Sequence, residues 1–300
     1  MIVAGWFWVV FTLLAAGCQT VRNAMQRELT VTLGTAGATH VRFLFGLPFA
    51  LLILLAVWLV TGVALPRPGW DFVPWIALGA GAQIAATAAM LAAMKGRSFV
   101  VAIAYIKTEA IQAAVFGLLF LGDPLTLGMV AAILVATAGV ALMSIKGASV
   151  VEAGLRPTLL GLFAGGLFAL SATGYRGAIL TLDEPHFVMA ATFTMTAGLV
   201  IQAAVLTLYL AVREPAVLGA IVRRWRPSVF AGFMGAVASE FWFLAFALTS
   251  VANVRTLALV EVIFAQAISY FVFRQKTTAR EALGMSMIVA GVALLLIVQR

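Results

Sequence analysis

Long apolar segments alternate with short polar breaks along the whole chain. The segments 38–60, 187–212 and 279–298 are predominantly apolar over their full length. A helix needs about 20 consecutive apolar residues to cross the hydrocarbon core of a bilayer, so each of these segments is long enough to span it. The pattern predicts ten such helices, and proline or glycine residues mark most of the breaks between them. We place them at 3–26, 38–60, 71–94, 98–121, 125–146, 158–180, 186–212, 227–249, 251–273 and 279–298.

The composition agrees with a membrane protein rather than a soluble one. Of the 300 residues, 64% are hydrophobic and 10% are charged, and the mean hydropathy is +1.11, which is unlike a soluble domain. Cys18 is the lone cysteine, so the sequence offers neither an intramolecular disulfide nor a cysteine metal cluster. His40 and His186 are too few for a histidine-built site. We therefore predict no metal and no cofactor.

The net charge of +8 follows from basic residues in the loops. With ten helices, twelve loop lysines and arginines fall on one side of the membrane and two, Arg67 and Arg300, on the other. The positive-inside rule makes the basic side cytoplasmic, so both termini are expected outside, in a plasma (inner) membrane. This explanation of the charge leaves no reason to expect a nucleic-acid partner. The twelve are Arg27, Lys95, Arg97, Lys146, Arg156, Arg213, Arg223, Arg224, Arg226, Arg274, Lys276 and Arg280.

The two halves of the sequence resemble each other. The segment 109–120 aligns without a gap on 261–272, and the same register brings Ala-Gly-Val-Ala-Leu at 138–142 onto the identical sequence at 290–294. We predict one integral-membrane domain made of two five-helix repeats, residues 1–148 and 157–300. Five is an odd number, so the second copy must enter the membrane upside down. Inverted repeats are typical of secondary transporters with a midplane substrate site.

The end of the first repeat carries a more specific pattern. It reads Leu-Gly-Asp-Pro-Leu-Thr at 121–126 and continues into the Ala-Gly-Val-Ala-Leu helix. With ten helices in two copies, this resembles the EamA-type branch of the drug/metabolite transporter superfamily. The resemblance implies a transporter, and members of that superfamily move amino acids, nucleotide sugars, phosphorylated sugars, choline and drugs. The second copy departs from the pattern at 273–276. The first helix also lacks the membrane glutamate of the small multidrug members.

Four charged residues are predicted at mid-depth: Lys107, Glu109, Glu240 and Glu261. A charge there costs roughly 2.5–3.5 kcal/mol, so it usually faces a cavity or a partner. One interpretation is a set of structural ion pairs, such as Lys107 with Glu240 or Glu261. The other is a substrate or proton site between the repeats.

The repeat favours Lys107 and Glu240 as determinants of specificity, because neither has a charged counterpart in the other half. Lys107 could bind a carboxylate or phosphate. Glu240 could bind an amine or carry a coupling proton, and Glu261 is a second candidate for that proton. Phe243 shares a helical face with Glu240, as Tyr105 does with Glu109. We include all of them in the candidate substrate site.

Four arginines lie nearer the membrane surfaces. Arg22 and Arg42 fall toward the cytoplasmic ends of their helices, and Arg176 and Arg255 toward the outer ends. Arginines in such places can extend to the headgroups. Alternatively, Arg22 and Arg42 form a cationic cytoplasmic mouth, and Arg176 and Arg255 contribute to substrate binding.

We expect a secondary active transporter that exports a small polar metabolite, such as an amino acid, by alternating access. A carrier of an anionic metabolite, phosphorylated or nucleotide-linked, remains an alternative, as does a non-enzymatic membrane subunit or lipid translocator. No catalytic motif such as Gly-x-Ser-x-Gly or His-Glu-x-x-His is present, so we predict no catalytic residue. The expected partners are a small-molecule substrate and the lipid bilayer, with the protein as a monomer or homodimer.

Overall fold

The computed structural model describes residues 6–94, 105–144, 155–271, 274 and 277–299. All regular structure in these residues is helical. The first part of the chain forms α1 (Phe7–Thr61), α2 (Phe72–Met94), α3 (Glu109–Phe116) with a π-helical turn (Gly117–Leu121), and α4 (Leu127–Ser144). The second part forms α5 (Leu155–Leu180), α6 (Phe187–Arg213), α7 (Pro215–Arg223), α8 (Trp225–Leu248), α9 (Val251–Leu257), a 3-10 turn (Ala258–Val260), α10 (Glu261–Phe271) and α11 (Ala279–Val298).

The first two predicted helices are joined rather than separated by a loop. The loop expected at 27–37 is wrong, because α1 is helical up to Gly34 and again beyond it. Gly34 has φ 69° and ψ −177°, a conformation that is open to glycine and strained for other residues. This part of the chain contains no proline, so a single glycine is the only break between the two helical segments.

Two further differences concern helix continuity in the second half. The segment predicted as one helix at 251–273 is divided by the 3-10 turn at Ala258–Val260, directly before Glu261. The connection predicted as a loop around 213–226 contains α7, which begins with Pro215 at a first-turn position, where proline is well tolerated. Residues 98–104 of the fourth predicted helix lie outside the described residues.

Five of the described helices are long and apolar enough to cross a membrane, which supports the prediction of an all-α membrane protein. They include 33 residues of α1, and two shorter apolar helices, Glu109–Leu121 and Leu127–Met143, accompany them. Large apolar side chains are exposed, among them Leu59, Phe163 and Phe271. Such extensive apolar exposure is expected of a surface that faces lipid. The five spans are Leu29–Thr61, Phe72–Ala93, Phe187–Arg213, Trp225–Leu248 and Ala279–Val298.

Helices from the two halves pack closely through small residues. The main contacts join α1 to α8, α2 to α5, α4 to α11 and α1 to α6. Between α4 and α11, a Cβ atom at Gly139 would lie 2.6 Å from the carbonyl oxygen of Gly284. Between α2 and α5, Ser171 Oγ donates to the Gly79 carbonyl oxygen at 2.8 Å. Small residues allow this approach of backbones in membrane helices. The arrangement leaves a polar space among α1, α2, α3, α5, α8, α9 and α10.

Candidate functional site

A cavity lies among the described helices and offers about 60 Å³ to the centres of water-sized molecules. Six charged residues line it: Arg22, Arg42, Lys107, Glu109, Arg255 and Glu261. Its aromatic wall consists of Phe168, Tyr175, Trp242, Phe243 and Phe246. Charges from both halves of the chain therefore share one space with several rings. This mixture suits a ligand that has both polar and apolar parts.

Two ion pairs cross between the halves inside this cavity. Lys107 Nζ contacts Glu261 Oε1, and Arg255 Nε lies 2.8 Å from Glu109 Oε1. All four side chains are only 10–12% exposed. Glu109 begins α3 and Glu261 begins α10, so each carboxylate also lies at the positive end of a helix dipole. The prediction that Lys107 pairs with a buried glutamate is confirmed for Glu261.

Trp242 and Gln19 connect the two ion pairs. The guanidinium carbon of Arg255 lies 4.8 Å from the centroid of the Trp242 ring and 5.2 Å from that of Phe246, within the range of cation–π attraction. Trp242 Nε1 donates to Gln19 Oε1 at 3.1 Å, and Gln19 Nε2 donates to Glu261 Oε2 at 3.0 Å. The network fixes both glutamates and leaves neither carboxylate without a cation.

Arg22 and Arg42 lie in the same cavity but have only neutral partners among the described residues. Arg22 is 2% exposed and Arg42 is 4% exposed, and both pack over Gly235, where a Cβ would lie 3.4 Å from Arg22 Cδ and 3.6 Å from Arg42 Cγ. Arg22 Nη2 donates to Gln19 Oε1 at 3.1 Å and to Asn23 Oδ1 at 2.9 Å. Two more of its nitrogens, Nε and Nη1, are buried without a hydrogen bond.

Arg42 makes a single polar contact within the described structure. Its Nη1 donates to Thr87 Oγ1 at 3.3 Å, and the guanidinium carbon lies 5.2 Å from the centroid of the Phe43 ring. A buried guanidinium normally has a carboxylate or phosphate partner. Arg22 and Arg42 thus carry positive charge that the described part of the chain does not neutralise.

A hydrogen-bonded network holds Gln83 and Tyr175, two further residues of the cavity lining. The Tyr175 hydroxyl donates to Gln83 Oε1 at 3.0 Å, and Gln202 Nε2 donates to the same oxygen at 2.7 Å. The Tyr175 ring packs against Phe243 with 4.5 Å between centroids. Gln83 lines the cavity and accepts both hydrogen bonds with its oxygen, and no hydrogen bond of its amide nitrogen is found within the described part of the chain.

Glu240 lies outside the cavity, between α8 and α6. Its Oε1 is 2.6 Å from Thr192 Oγ1, its Oε2 is buried without a hydrogen bond, and no cation of the described residues lies within 4 Å. Thr192 Oγ1 is also 2.8 Å from the Val188 carbonyl oxygen. A hydroxyl has one hydrogen, so both contacts are fully satisfied when Glu240 is protonated and donates to Thr192.

Two other residues of the predicted site also lie away from the cavity lining. Arg176 Nη1 donates to the carbonyl oxygens of Phe246 and Thr249, at 2.5 Å each, and its Nη2 lies 3.4 Å from Asp123 Oδ1. Arg176 therefore ties the end of α8 to the turn after α3. Tyr105 is half-buried, and its carbonyl oxygen accepts a hydrogen bond from Thr108.

The structure thus gathers seven of the ten predicted residues into one cavity and separates the other three. Arg22 and Arg42, predicted as a separate cytoplasmic mouth, share the cavity with the ion pairs. The shared face predicted for Glu240 and Phe243 is wrong, because only Phe243 lines the cavity. The sequence analysis missed Gln19, Gln83 and Trp242, although polar side chains inside membrane helices are a usable signal. The seven are Arg22, Arg42, Lys107, Glu109, Phe243, Arg255 and Glu261.

The apolar helices and the charged cavity define a multi-pass membrane protein with an internal polar site. Residues 156–297 match the model of the EamA-like transporter family. This match confirms the resemblance predicted from the sequence, and the matched family is one of membrane transporters.

The fold has a counterpart among solved structures. One structure, described as "Crystal structure of protein", aligns with a TM-score of 0.72 and 16% sequence identity over 100% of this chain and 98% of that one. At this identity the similarity concerns the fold alone. A search of curated protein sequences finds no match.

Proposed function

We propose that the protein is a secondary active transporter that carries a small polar metabolite through the central cavity. The observation that carries this proposal is a buried cavity with six charged side chains inside an apolar helical protein. Charges at such depth are costly and usually serve a pathway or a binding site. The match of residues 156–297 to a transporter family supports the same conclusion.

We propose alternating access between two inverted five-helix halves, residues 1–148 and 157–300. Helix packing supports a two-fold relation. Adding 152 to Ala132 and Gly139 gives Gly284 and Gly291, and the contact of Gly139 with Gly284 has its counterpart in the contact of Gly291 with Ala132, where a Cβ would lie 2.8 Å from the carbonyl oxygen. A rocking motion of one half against the other would open the cavity to each side in turn.

The cargo carries a negatively charged group, because the cavity holds four cations and two carboxylates. An amino acid and an anionic metabolite both meet this requirement. We propose export from the cytoplasm across the plasma (inner) membrane. In this proposal Arg22 and Arg42 bind the substrate inside the central cavity after it enters from the cytoplasm. The cavity lies within one chain, so a monomer suffices and a homodimer would contain two such sites.

We assign a coupling proton to Glu240 rather than to Glu261. Glu261 is ion-paired with Lys107, and removing its charge would leave that lysine buried and unpaired. Glu240 has Thr192 as its partner and no cation within 4 Å among the described residues. Proton gain and loss at Glu240 would change the hydrogen bonds between α8 and α6, which both belong to the second half.

The test is transport by purified protein in liposomes. Liposomes preloaded with one unlabelled compound are diluted into the same labelled compound, with amino acids and organic phosphates tested in parallel. A transporter produces transient accumulation of its own substrate, and protein-free liposomes do not. Imposed pH gradients then test coupling. Absence of flux for every compound, with protein that is monodisperse and unfolds cooperatively, would contradict the proposal.

A further inference from the structure

We propose that the cavity selects an organic dianion, a small molecule with a phosphate monoester or two carboxylates, and that Arg22 and Arg42 bind its charged group. This inference rests on the proposed transport function and narrows the cargo to one chemical class. It starts from the charges that face the cavity and from their partners.

The charges do not balance. Lys107 is neutralised by Glu261, and Arg255 by Glu109. Arg22 and Arg42 remain, so the described lining has four cations against two carboxylates and a net charge of +2. Glu240 does not reduce this excess, because it does not line the cavity.

Burial makes this excess costly when the site is empty. The side chains of Arg22 and Arg42 are almost fully removed from solvent, and both pack over the same glycine, Gly235. Like charges repel strongly when they are shielded from water. A ligand of charge −2 would offset both guanidinium charges at once. A zwitterion would offset neither fully.

The unsatisfied guanidinium nitrogens also suit an oxyanion. Arg22 keeps Nε and Nη1 without a hydrogen bond, and Arg42 uses one nitrogen for a long contact of 3.3 Å with Thr87. Guanidinium groups are well suited to carboxylate and phosphate oxygens. An amine would need a free carboxylate, and both carboxylates of the cavity already have cations. The geometry therefore favours dianions over amino acids.

Other residues of the cavity lining can contact the uncharged part of the ligand. The amide nitrogen of Gln83 can donate to a hydroxyl or carbonyl group. Trp242 and Phe243 supply an apolar surface beside it. The expected cargo is thus a small organic molecule with its charge concentrated at one end.

The inference is tested by binding to the full-length protein in detergent. The probes are glycerol 3-phosphate, succinate, glycine, glycerol and choline, and the readout is the shift of the unfolding temperature with probe concentration, since ligands of the native state stabilise it. Saturable stabilisation by glycerol 3-phosphate, succinate or both is expected, with none from the other three. Binding of glycerol 3-phosphate would identify the charged group of the ligand as a phosphate, and binding of succinate would identify it as a pair of carboxylates.

Variants locate the site. Arg22→Gln and Arg42→Gln should each weaken dianion binding by roughly tenfold or more, because each removes one of two buried charges that hold the ligand. Arg213→Gln is the matched control, since Arg213 is exposed at the end of α6. If a glutamine variant does not fold, the probe series on the unaltered protein still decides the charge requirement. Dianion binding that is unchanged in both folded variants would overturn the assignment.

Two results separate this inference from the proposed function. The dianion site would be overturned if glycine bound more tightly than both dianions. It would also be overturned if the protein transported zwitterions or neutral compounds and bound no dianion. Either result would leave the proposed transport function intact. Dianions that bind through Arg22 and Arg42 but never cross the liposome membrane would support the site and contradict transport.

Discussion

Glu109 and Glu261 occupy aligned positions in the two halves of the sequence, and each pairs with a cation from the other half. Glu109 contacts Arg255, and Glu261 contacts Lys107. Both glutamates are also the first residue of a helix. The two cations have no such equivalence, since Lys107 aligns with Leu259. The carboxylates are therefore a shared feature of both halves, whereas the cations are a lysine and an arginine at positions that do not align.

The Lys107–Glu261 pair should behave as a coupled unit in stability measurements. Lys107→Met leaves the Glu261 carboxylate buried with only neutral partners, and we expect it to lower the free energy of unfolding by about 3 kcal/mol. The double variant Lys107→Met, Glu261→Gln removes both charges and should recover most of that loss. Denaturant unfolding in detergent measures both. The single variant Glu261→Gln completes the comparison. If the double variant loses at least as much unfolding free energy as Lys107→Met and Glu261→Gln together, the pair is not coupled.

Glu240→Gln should separate proton coupling from substrate movement. Glutamine has nearly the same shape and can still donate to Thr192, so the protein should fold and catalyse exchange of its substrate. It cannot release a proton, so a pH gradient should no longer drive accumulation. Thr192→Val is the companion variant, because it removes the hydrogen-bond partner and keeps the carboxyl group. Gradient-driven flux equal to that of the unaltered protein would exclude Glu240 as the coupling site.

Arg176 should matter for stability and not for binding. Its two hydrogen bonds to the carbonyl oxygens of Phe246 and Thr249 secure the end of α8. Arg176→Gln should lower the free energy of unfolding by about 1–3 kcal/mol and leave the affinity for the transported compound unchanged. The check is to measure unfolding and binding on the same sample. A selective loss of affinity would return Arg176 to the substrate site.

The contact between α4 and α11 should tolerate no side chain at Gly139. A methyl group there would lie 2.6 Å from the Gly284 carbonyl oxygen, so the helices must separate. We expect Gly139→Ala to cost about 1–3 kcal/mol of unfolding free energy. Gly81→Ala is the control, because a Cβ at Gly81 meets nothing within 4 Å and alanine favours helix. Equal thermal stability of the two variants would argue against tight packing at Gly139.

Much of the fold follows from local sequence pattern. Apolar length determines which segments can cross a bilayer, and Gly122 with φ 66° ends its helix where the Gly-Asp-Pro sequence predicts a turn. The continuity of α1 could not be predicted in this way. The polar residues at 27–37 resemble a loop by composition, and only the backbone shows that one glycine suffices for the break.

The sequence predicts which residue types form the site, but it does not predict which of these residues contact each other. Lys107, Glu109 and Glu261 stand out because charges are rare in membrane helices. Their partners depend on how helices from opposite halves approach each other, which a single sequence does not specify. Glu240 illustrates the difference. Helical periodicity places it near Phe243, but a residue at the side of a helix can face a neighbouring helix instead of the cavity, and here it faces Thr192.

Gly34 lies between Arg22 and Arg42 on α1. The two guanidinium groups therefore belong to two helical segments of α1, one on each side of Gly34, which is the joint between them. Any change of angle at this joint also changes the distance between the two positive charges. Anion binding by the two arginines and the bend angle of α1 are thus coupled. A ligand that binds both guanidinium groups also sets the angle at Gly34.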